Sequence, residues 1–111
     1  MEARGLSEKI LLIITSEMGR TPQLNKTGGR GHYGNLTPLV FAGGGLNMGQ
    51  VIGESDASAA NPATRGYTPH HLLGTVMHTL FDMNQLRVTD GLPGEIINLA
   101  NRAEPIPELF G

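Results

Sequence analysis

The sequence predicts an α/β fold, because it combines two short apolar strands with one amphipathic helix. Residues 10–15 form a continuous apolar run rich in β-branched side chains, typical of a strand buried on both faces inside a parallel sheet. Residues 39–42 form a second apolar run, which three glycines end. From Pro69 onwards, apolar side chains recur at the 3.6-residue spacing of a helix. We therefore expect two or three strands, one long helix and large loops.

The remaining segments are predicted from their turn and cap residues. Thr68 suits the N-cap of the helix and Pro69 its first position, and the helix should end near residues 82–84. Outside the two strands and the helix, the sequence predicts a polar loop over 16–36, a short strand or hairpin edge over 50–53, a surface loop over 54–66, and extended segments at 96–97 and 105–107. Gly5 is expected to end a preceding helix.

The number of elements predicts a single partial domain over residues 1–111. A strand buried on both faces needs a layer on each side, and this sequence supplies one. The missing layer is then either a second copy of the chain or another part of a larger domain. We expect the second, with homo-oligomerisation through an exposed sheet surface as the alternative.

The composition excludes several classes of protein. The chain has 111 residues, of which 16% are charged, and its net charge is −2, without the basic excess of nucleic-acid binders. It has no cysteine, which excludes disulfides, zinc–thiolate sites and a cysteine nucleophile. Its apolar runs are far too short to cross a membrane. We expect neither a nucleic-acid nor a membrane partner.

Glu17 and Arg20 follow directly after the first strand. Ligands of open α/β sheets bind beyond the carboxyl ends of the strands, so an acid and an arginine here suit a metal ligand and an anion partner. The planar guanidinium of arginine meets sulfate or phosphate in a bidentate fashion. The alternative is a surface pair between Glu17 and Arg20.

Arg30 and His32 stand in a glycine-rich segment ahead of the second strand. A neutral imidazole nitrogen of His32 suits a metal ion, and Arg30 suits an anion. The alternative is a flexible glycine loop with an incidental histidine. Gly29, Gly31 and Gly34 match a dinucleotide-binding pattern in letters only, since that motif must join a strand to a helix.

Three histidines and one aspartate lie on the long helix. His71, His78 and Asp82 share its polar face, but His71 and His78 are too far apart along the axis to bind one metal ion. His78 and Asp82 are spaced to form a pair. We expect these residues, with His70, to be solvated or interface polar groups, and we find no serine–histidine–acid arrangement.

Taken in order, the segments resemble a family catalogued as domain of unknown function 1501, regarded as sulfatase-like and as part of the alkaline phosphatase superfamily. The similarity runs through nearly the whole chain. It is carried by these segments: KILLIIT (9–15), EMGRTP (17–22), GRGHY (29–33), LTPLV (36–40), AGGG (42–45), GQVIG (49–53), TPHHLLGT (68–75) and PIPELF (105–110).

The resemblance implies the C-terminal part of a three-layer α/β/α sandwich of alkaline phosphatase or sulfatase type. It implies a hydrolase-like domain acting on small sulfate or phosphate esters and inactive alone, because the nucleophile comes from upstream strands. Glu17 and His32 stand where relatives hold a divalent metal such as zinc. Met18 and Gly31 replace expected ligands, so the metal should bind weakly. The resemblance also suggests an exported parent protein, and the alternative is a non-catalytic binding or assembly module.

Overall fold

A computed structural model describes all residues from 1 to 111 as a mixed α/β structure with two antiparallel sheets and three helices. In chain order the elements are the strands β1 (Leu11–Thr15), β2 (Gly19–Leu24), β3 (Arg30–Tyr33) and β4 (Leu39–Gly43), followed by the helices α1 (Pro69–Leu80), α2 (Met83–Arg87) and α3 (Gly94–Arg102). Short 3-10 helices lie at Glu2–Arg4 and Pro107–Phe110. The α/β class is confirmed, and the three-layer sandwich stays a prediction.

The strands β1 and β4 form an antiparallel pair, with Ile13 opposite Phe41 and Ile14 opposite Val40. The prediction of a strand buried on both faces of a parallel sheet is therefore wrong. Leu11 and Phe41 pack on a small core built around Leu46, Ile106 and Leu109. The opposite side chains of β1 and β4 are exposed, because nothing in the chain covers them.

These uncovered side chains define the β1–β4 apolar face. It consists of Ile10, Leu12, Ile14 and Val40, whose exposed fractions are 42%, 45%, 57% and 51%. Side chains two residues apart share a face of a strand, and Val40 pairs with Ile14, so these four lie on one side of the sheet. An exposed apolar surface of this kind is typical of a place where another part of a protein, a second molecule or a ligand packs.

The strands β2 and β3 form an antiparallel hairpin where a loop was predicted. Asn25 closes the turn between them: its Oδ1 accepts hydrogen bonds from the backbone N–H of Thr27 and of Gly29, at 3.1 and 2.8 Å. Pro22, which has no N–H to donate to a strand ladder, lies at an irregularity in the register between Arg20 and Leu24. A hairpin of only two strands can accommodate a proline at such an irregularity, so the segment forms strands although a loop was predicted for it.

Thr68 and Pro69 begin α1 as predicted. Thr68 and His71 form a reciprocal capping box, in which the backbone N–H of Thr68 donates to His71 Nδ1 at 3.1 Å. Further along the helix, Gly74 and Thr75 are buried. Thr75 Oγ1 accepts from the backbone N–H of Ile106 at 3.0 Å, which holds the C-terminal segment against the helix.

The predicted end of α1 and the predicted tail need correction. Phe81 adopts an extended conformation and ends α1 at Leu80, so that Asp82 caps α2 instead. The tail is not extended at residues 96–97, because α3 spans Gly94–Arg102 and packs on α2 around Ala100.

Residues 50–53 form no strand, whereas residues 54–66 form a loop as predicted, apart from one isolated bridge. Gly5 ends the first 3-10 helix in a left-handed conformation, as predicted.

The chain is open and extended for its size. Its accessible surface is 8037 Å², against roughly 5,900 Å² for a compact monomer of this mass. Its radius of gyration is 17.1 Å, against about 13 Å for a compact domain of this length. Only nine residues are buried, which follows from two small cores that do not merge. None of the helices has the length and hydropathy to cross a membrane.

Candidate functional site

Arg20 and His32 lie directly opposite each other across the β2–β3 hairpin. Opposed residues of an antiparallel pair place their Cβ atoms about 4.5–5.5 Å apart on the same face. Both side chains are exposed, whereas Thr21 and Tyr33, which follow them in the two strands, are half-buried on the other face. The alternation of the two strands therefore puts both side chains on the outer side of the hairpin.

Arg30 joins this outer side, because it stands two residues before His32 on β3. Its guanidinium reaches across the ribbon, and its Nη1 donates hydrogen bonds to the backbone carbonyls of Thr21 (3.0 Å) and Pro22. These bonds hold the arginine in place and leave its other N–H groups free for a ligand. We call Arg20, His32 and Arg30 together the cationic face of the hairpin.

Glu17 lies in the short connection between β1 and β2, with an exposed side chain. The backbone on its N-terminal side is fixed, since the carbonyl of Ser16 accepts from Thr37 Oγ1 at 2.7 Å. Ser16 Oγ donates in turn to the carbonyl of Met18 at 3.0 Å. The connection is thus held against the segment that leads into β4, and Glu17 projects from a fixed turn.

The residues present do not fit a complete metal centre. No group of three or more histidine, cysteine, aspartate or glutamate side chains lies close enough together to hold an ion. Glu17 and His32 would supply two ligands, where a structural zinc site uses four and a catalytic one three. The remaining ligands of such a centre would have to come from outside this chain.

The helix residues have local structural roles. His71 serves the capping box of α1, and the ring of His78 packs edge-on against Phe110 at a centroid distance of 5.9 Å. His78 and Asp82, whose spacing would allow a pair on one helix, do not share a helix, because α1 ends at Leu80. The carboxylate of Asp82 instead accepts from the backbone N–H groups of Asn84 and Gln85, at 3.0 and 3.1 Å. These residues belong to the scaffold.

The side chains of the cationic face are of the types that suit an oxyanion. Two guanidinium groups and an imidazole point from one side of a ribbon whose turn is fixed. Arginine donors are well suited to sulfate and phosphate oxygens.

The residue types of this face were predicted, but their juxtaposition was not. The signal that reveals it is the segment from Asn25 to Gly29, which contains an asparagine and two glycines between two stretches with β-forming residues. Recognising that turn would have paired Arg20 with His32. It would also have placed the aromatic ring of Tyr33 on the other face of the hairpin.

The fold is that of a small mixed α/β structure with an exposed hairpin that carries two arginines and a histidine on one side. Residues 1–110 match the model of a family described as "Protein of unknown function (DUF1501)". The chain therefore belongs to this family, as the resemblance of its segments indicated. Neither a curated protein nor a solved structure matches it.

Proposed function

We propose that this chain is the C-terminal part of a sulfatase- or phosphatase-like, metal-dependent hydrolase domain, and that it holds the anionic group of a small sulfate or phosphate ester. The observation that carries the proposal is the cationic face, in which Arg20 and His32 are opposed and Arg30 is held beside them. The resemblance to the sulfatase-like proteins supports the choice of an ester as ligand. Alone, the chain binds and does not catalyse.

In this function each residue of the cationic face has a distinct part. Arg20 offers the free planar fork that meets two oxygens of a tetrahedral anion. Arg30, fixed on the carbonyls of Thr21 and Pro22, offers its remaining N–H groups from a preorganised position. His32, opposite Arg20 and on the same strand as Arg30, adds a third donor. A divalent ion held by Glu17 and His32 would need further ligands from the rest of the hydrolase domain.

The test is calorimetric titration of the chain with inorganic phosphate and inorganic sulfate. Removing one charged hydrogen-bond partner with Arg20→Ala should weaken binding about tenfold. Arg102→Ala is the matched control, since Arg102 is an exposed arginine at the end of α3, remote in sequence from the hairpin. Equal affinities for the wild type and Arg20→Ala, or equal losses in both variants, would contradict the proposal.

A second titration, with zinc, tests the metal part of the proposal. Two protein ligands should bind zinc only weakly, and His32→Ala should abolish that binding. Sub-micromolar zinc affinity that survives His32→Ala would rule out the assignment of Glu17 and His32. The phosphate titration is independent of this outcome, because the arginines hold the anion without a metal.

The β1–β4 apolar face favours a second candidate function, a non-catalytic assembly module that pairs with its own copies. The chain exposes about 2,100 Å² more surface than a compact monomer, while a standard interface covers about 800 Å² of each partner. A second copy seated on Ile14 and its neighbours would fit within that excess. In the hydrolase-like function the same face is instead covered by another part of the domain.

Sedimentation velocity separates the two candidates. An assembly module should be a discrete dimer that Ile14→Lys converts to a monomer, with Val88→Lys as control because Val88 is 79% exposed away from the sheet. A piece of a larger domain should associate loosely without a discrete species. A discrete dimer that Ile14→Lys leaves intact would contradict the placement of the interface on this face.

A further inference from the structure

A groove of about 410 Å³ lies against the β2–β3 hairpin, on the side opposite to the cationic face. The hairpin forms one wall, with Gln23, Asn25 and Tyr33, and the loop carrying Ala57 and Ser58 forms the other. None of the nine lining residues is charged, and their polar groups are hydroxyls and amides. The volume falls within the range of small-molecule sites.

Both walls are fixed by hydrogen bonds within the chain. Asn25 Oδ1 accepts three hydrogen bonds from the turn that follows it. Asp56 Oδ1 accepts three from its own loop, including one from the backbone N–H of Ala60 at 3.0 Å. Asn35 Nδ2 then donates to Asn61 Oδ1 at 3.0 Å, which ties this loop to the segment just after β3. A groove held open in this way costs little ordering when a ligand enters.

Several polar groups in the groove keep free hydrogen-bonding capacity. The Nδ2 group of Asn25 remains available, because the turn uses only Oδ1. Ser58 Oγ donates to Asp56 at 2.8 Å and keeps its acceptor lone pairs. The amide of exposed Gln23 and the hydroxyl of half-buried Tyr33 complete the set. Donors and acceptors thus stand on both walls beside an aromatic ring.

This lining selects the class of ligand. An anion would meet no charge here, because Arg20, Arg30 and His32 lie on the other face. A wholly apolar ligand would leave the amides and hydroxyls without partners. An added peptide strand would find Pro22, which has no N–H to donate, in the middle of β2. Neutral donors and acceptors beside one aromatic ring suit a neutral polyhydroxylated molecule, whose hydroxyls pair with amides and whose C–H face covers a ring.

We infer that this groove binds a short neutral saccharide. Gln23, Asn25 and Ser58 pair with its hydroxyl groups, and Tyr33 contributes its ring and its phenolic hydroxyl. The inference does not depend on the proposed ester binding, since the two sites share the hairpin but use opposite faces of it.

Saturation-transfer NMR with maltotriose, cellotriose and mannotriose as probes tests the inference on the whole chain. At least one probe should receive saturation at millimolar concentration and give a measurable Kd. Loss of one hydrogen-bonding group by Gln23→Ala or by Tyr33→Phe should weaken that Kd roughly threefold to tenfold. Gln85→Ala is the matched control, because Gln85 is an exposed glutamine on α2, and it should leave the Kd unchanged.

Three outcomes would overturn the inference. The first is that no probe receives saturation. The second is that Gln23→Ala and Tyr33→Phe, checked as folded by circular dichroism, both bind like the wild type. The third is that inorganic sulfate displaces the saccharide, which would place it on the cationic face instead. If sulfate leaves the saccharide bound and Arg20→Ala does not affect it, the two sites are distinct.

Discussion

Arg20 on β2 and His32 on β3 are cross-strand partners, so an arginine and a histidine face the same solvent from opposite strands of one hairpin. Neither side chain is buried, and Arg30 is anchored beside them on backbone carbonyls. Because the pair depends on the register of the hairpin, any change that slips the register by one residue would turn one partner to the other face. If both side chains hold one anion, their contributions to its affinity should be coupled.

That coupling can be measured with a double-mutant cycle on phosphate affinity. Residues that share one ligand are coupled, so the losses from Arg20→Ala and His32→Ala should deviate from additivity by about 0.5–3 kcal/mol. The control cycle combines Arg20→Ala with Arg102→Ala, whose effects should add within about 0.5 kcal/mol. Full additivity of the Arg20 and His32 effects would mean that the two residues do not bind one anion.

The hydroxyl of Thr75 should matter more than the shape of its side chain. Thr75 is fully buried, and its Oγ1 donates to the carbonyl of His71 at 2.8 Å while accepting from the N–H of Ile106. Thr75→Val keeps the shape and leaves the N–H of Ile106 without a partner, which should lower the free energy of unfolding by about 1–3 kcal/mol. Thr75→Ser keeps the hydroxyl, and in urea denaturation it should lose less than Thr75→Val. The reverse order would show that packing dominates at this site.

Two helical glycines should respond in opposite ways to alanine. A Cβ at Gly74 would come within 2.6 Å of the carbonyl carbon of Glu104, so Gly74→Ala forces the C-terminal segment away from α1. We expect a loss of about 1–3 kcal/mol, as for other overpacked sites. Gly94 has open space around it, and Gly94→Ala should stabilise α3 by up to about 1 kcal/mol. Equal thermal unfolding midpoints for the two variants would contradict the close approach at Gly74.

Asp56 should make stability depend on pH in the acid range. Hydrogen bonds from the backbone N–H of Ala60 and from Ser58 favour the carboxylate and lower the pKa of Asp56 to about 2, from 3.8. A lowered pKa means that the stabilisation is present above pH 3.8 and is lost as pH falls towards 2. Urea midpoints of the wild type should therefore fall through this window more steeply than those of Asp56→Ala. Parallel pH profiles would mean that the loop gains nothing from the charge.

The local elements were the predictable part of the fold. The apolar run in β1, the run in β4 and the Thr68–Pro69 start of α1 appear where the sequence placed them, because strand period, β-branching and helix caps act over a few residues. The errors came where distant contacts decide. The strands β2 and β3 form by pairing with each other within a segment predicted to be a loop. The helix α3 forms in a stretch without strong periodicity and is stabilised by packing on α2 around Ala100.

The sequence by itself determined the α/β class, the family and the residue types of the candidate site, namely Glu17, Arg20, Arg30 and His32. Only the tertiary structure decided which of these share a face, because the face depends on strand register. It also decided that β1 keeps one apolar side uncovered, since burial depends on what packs against a strand and not on its own side chains. Preferences for strand, helix and turn depend on residues close together in the sequence, whereas strand pairing and burial depend on contacts between residues far apart in it.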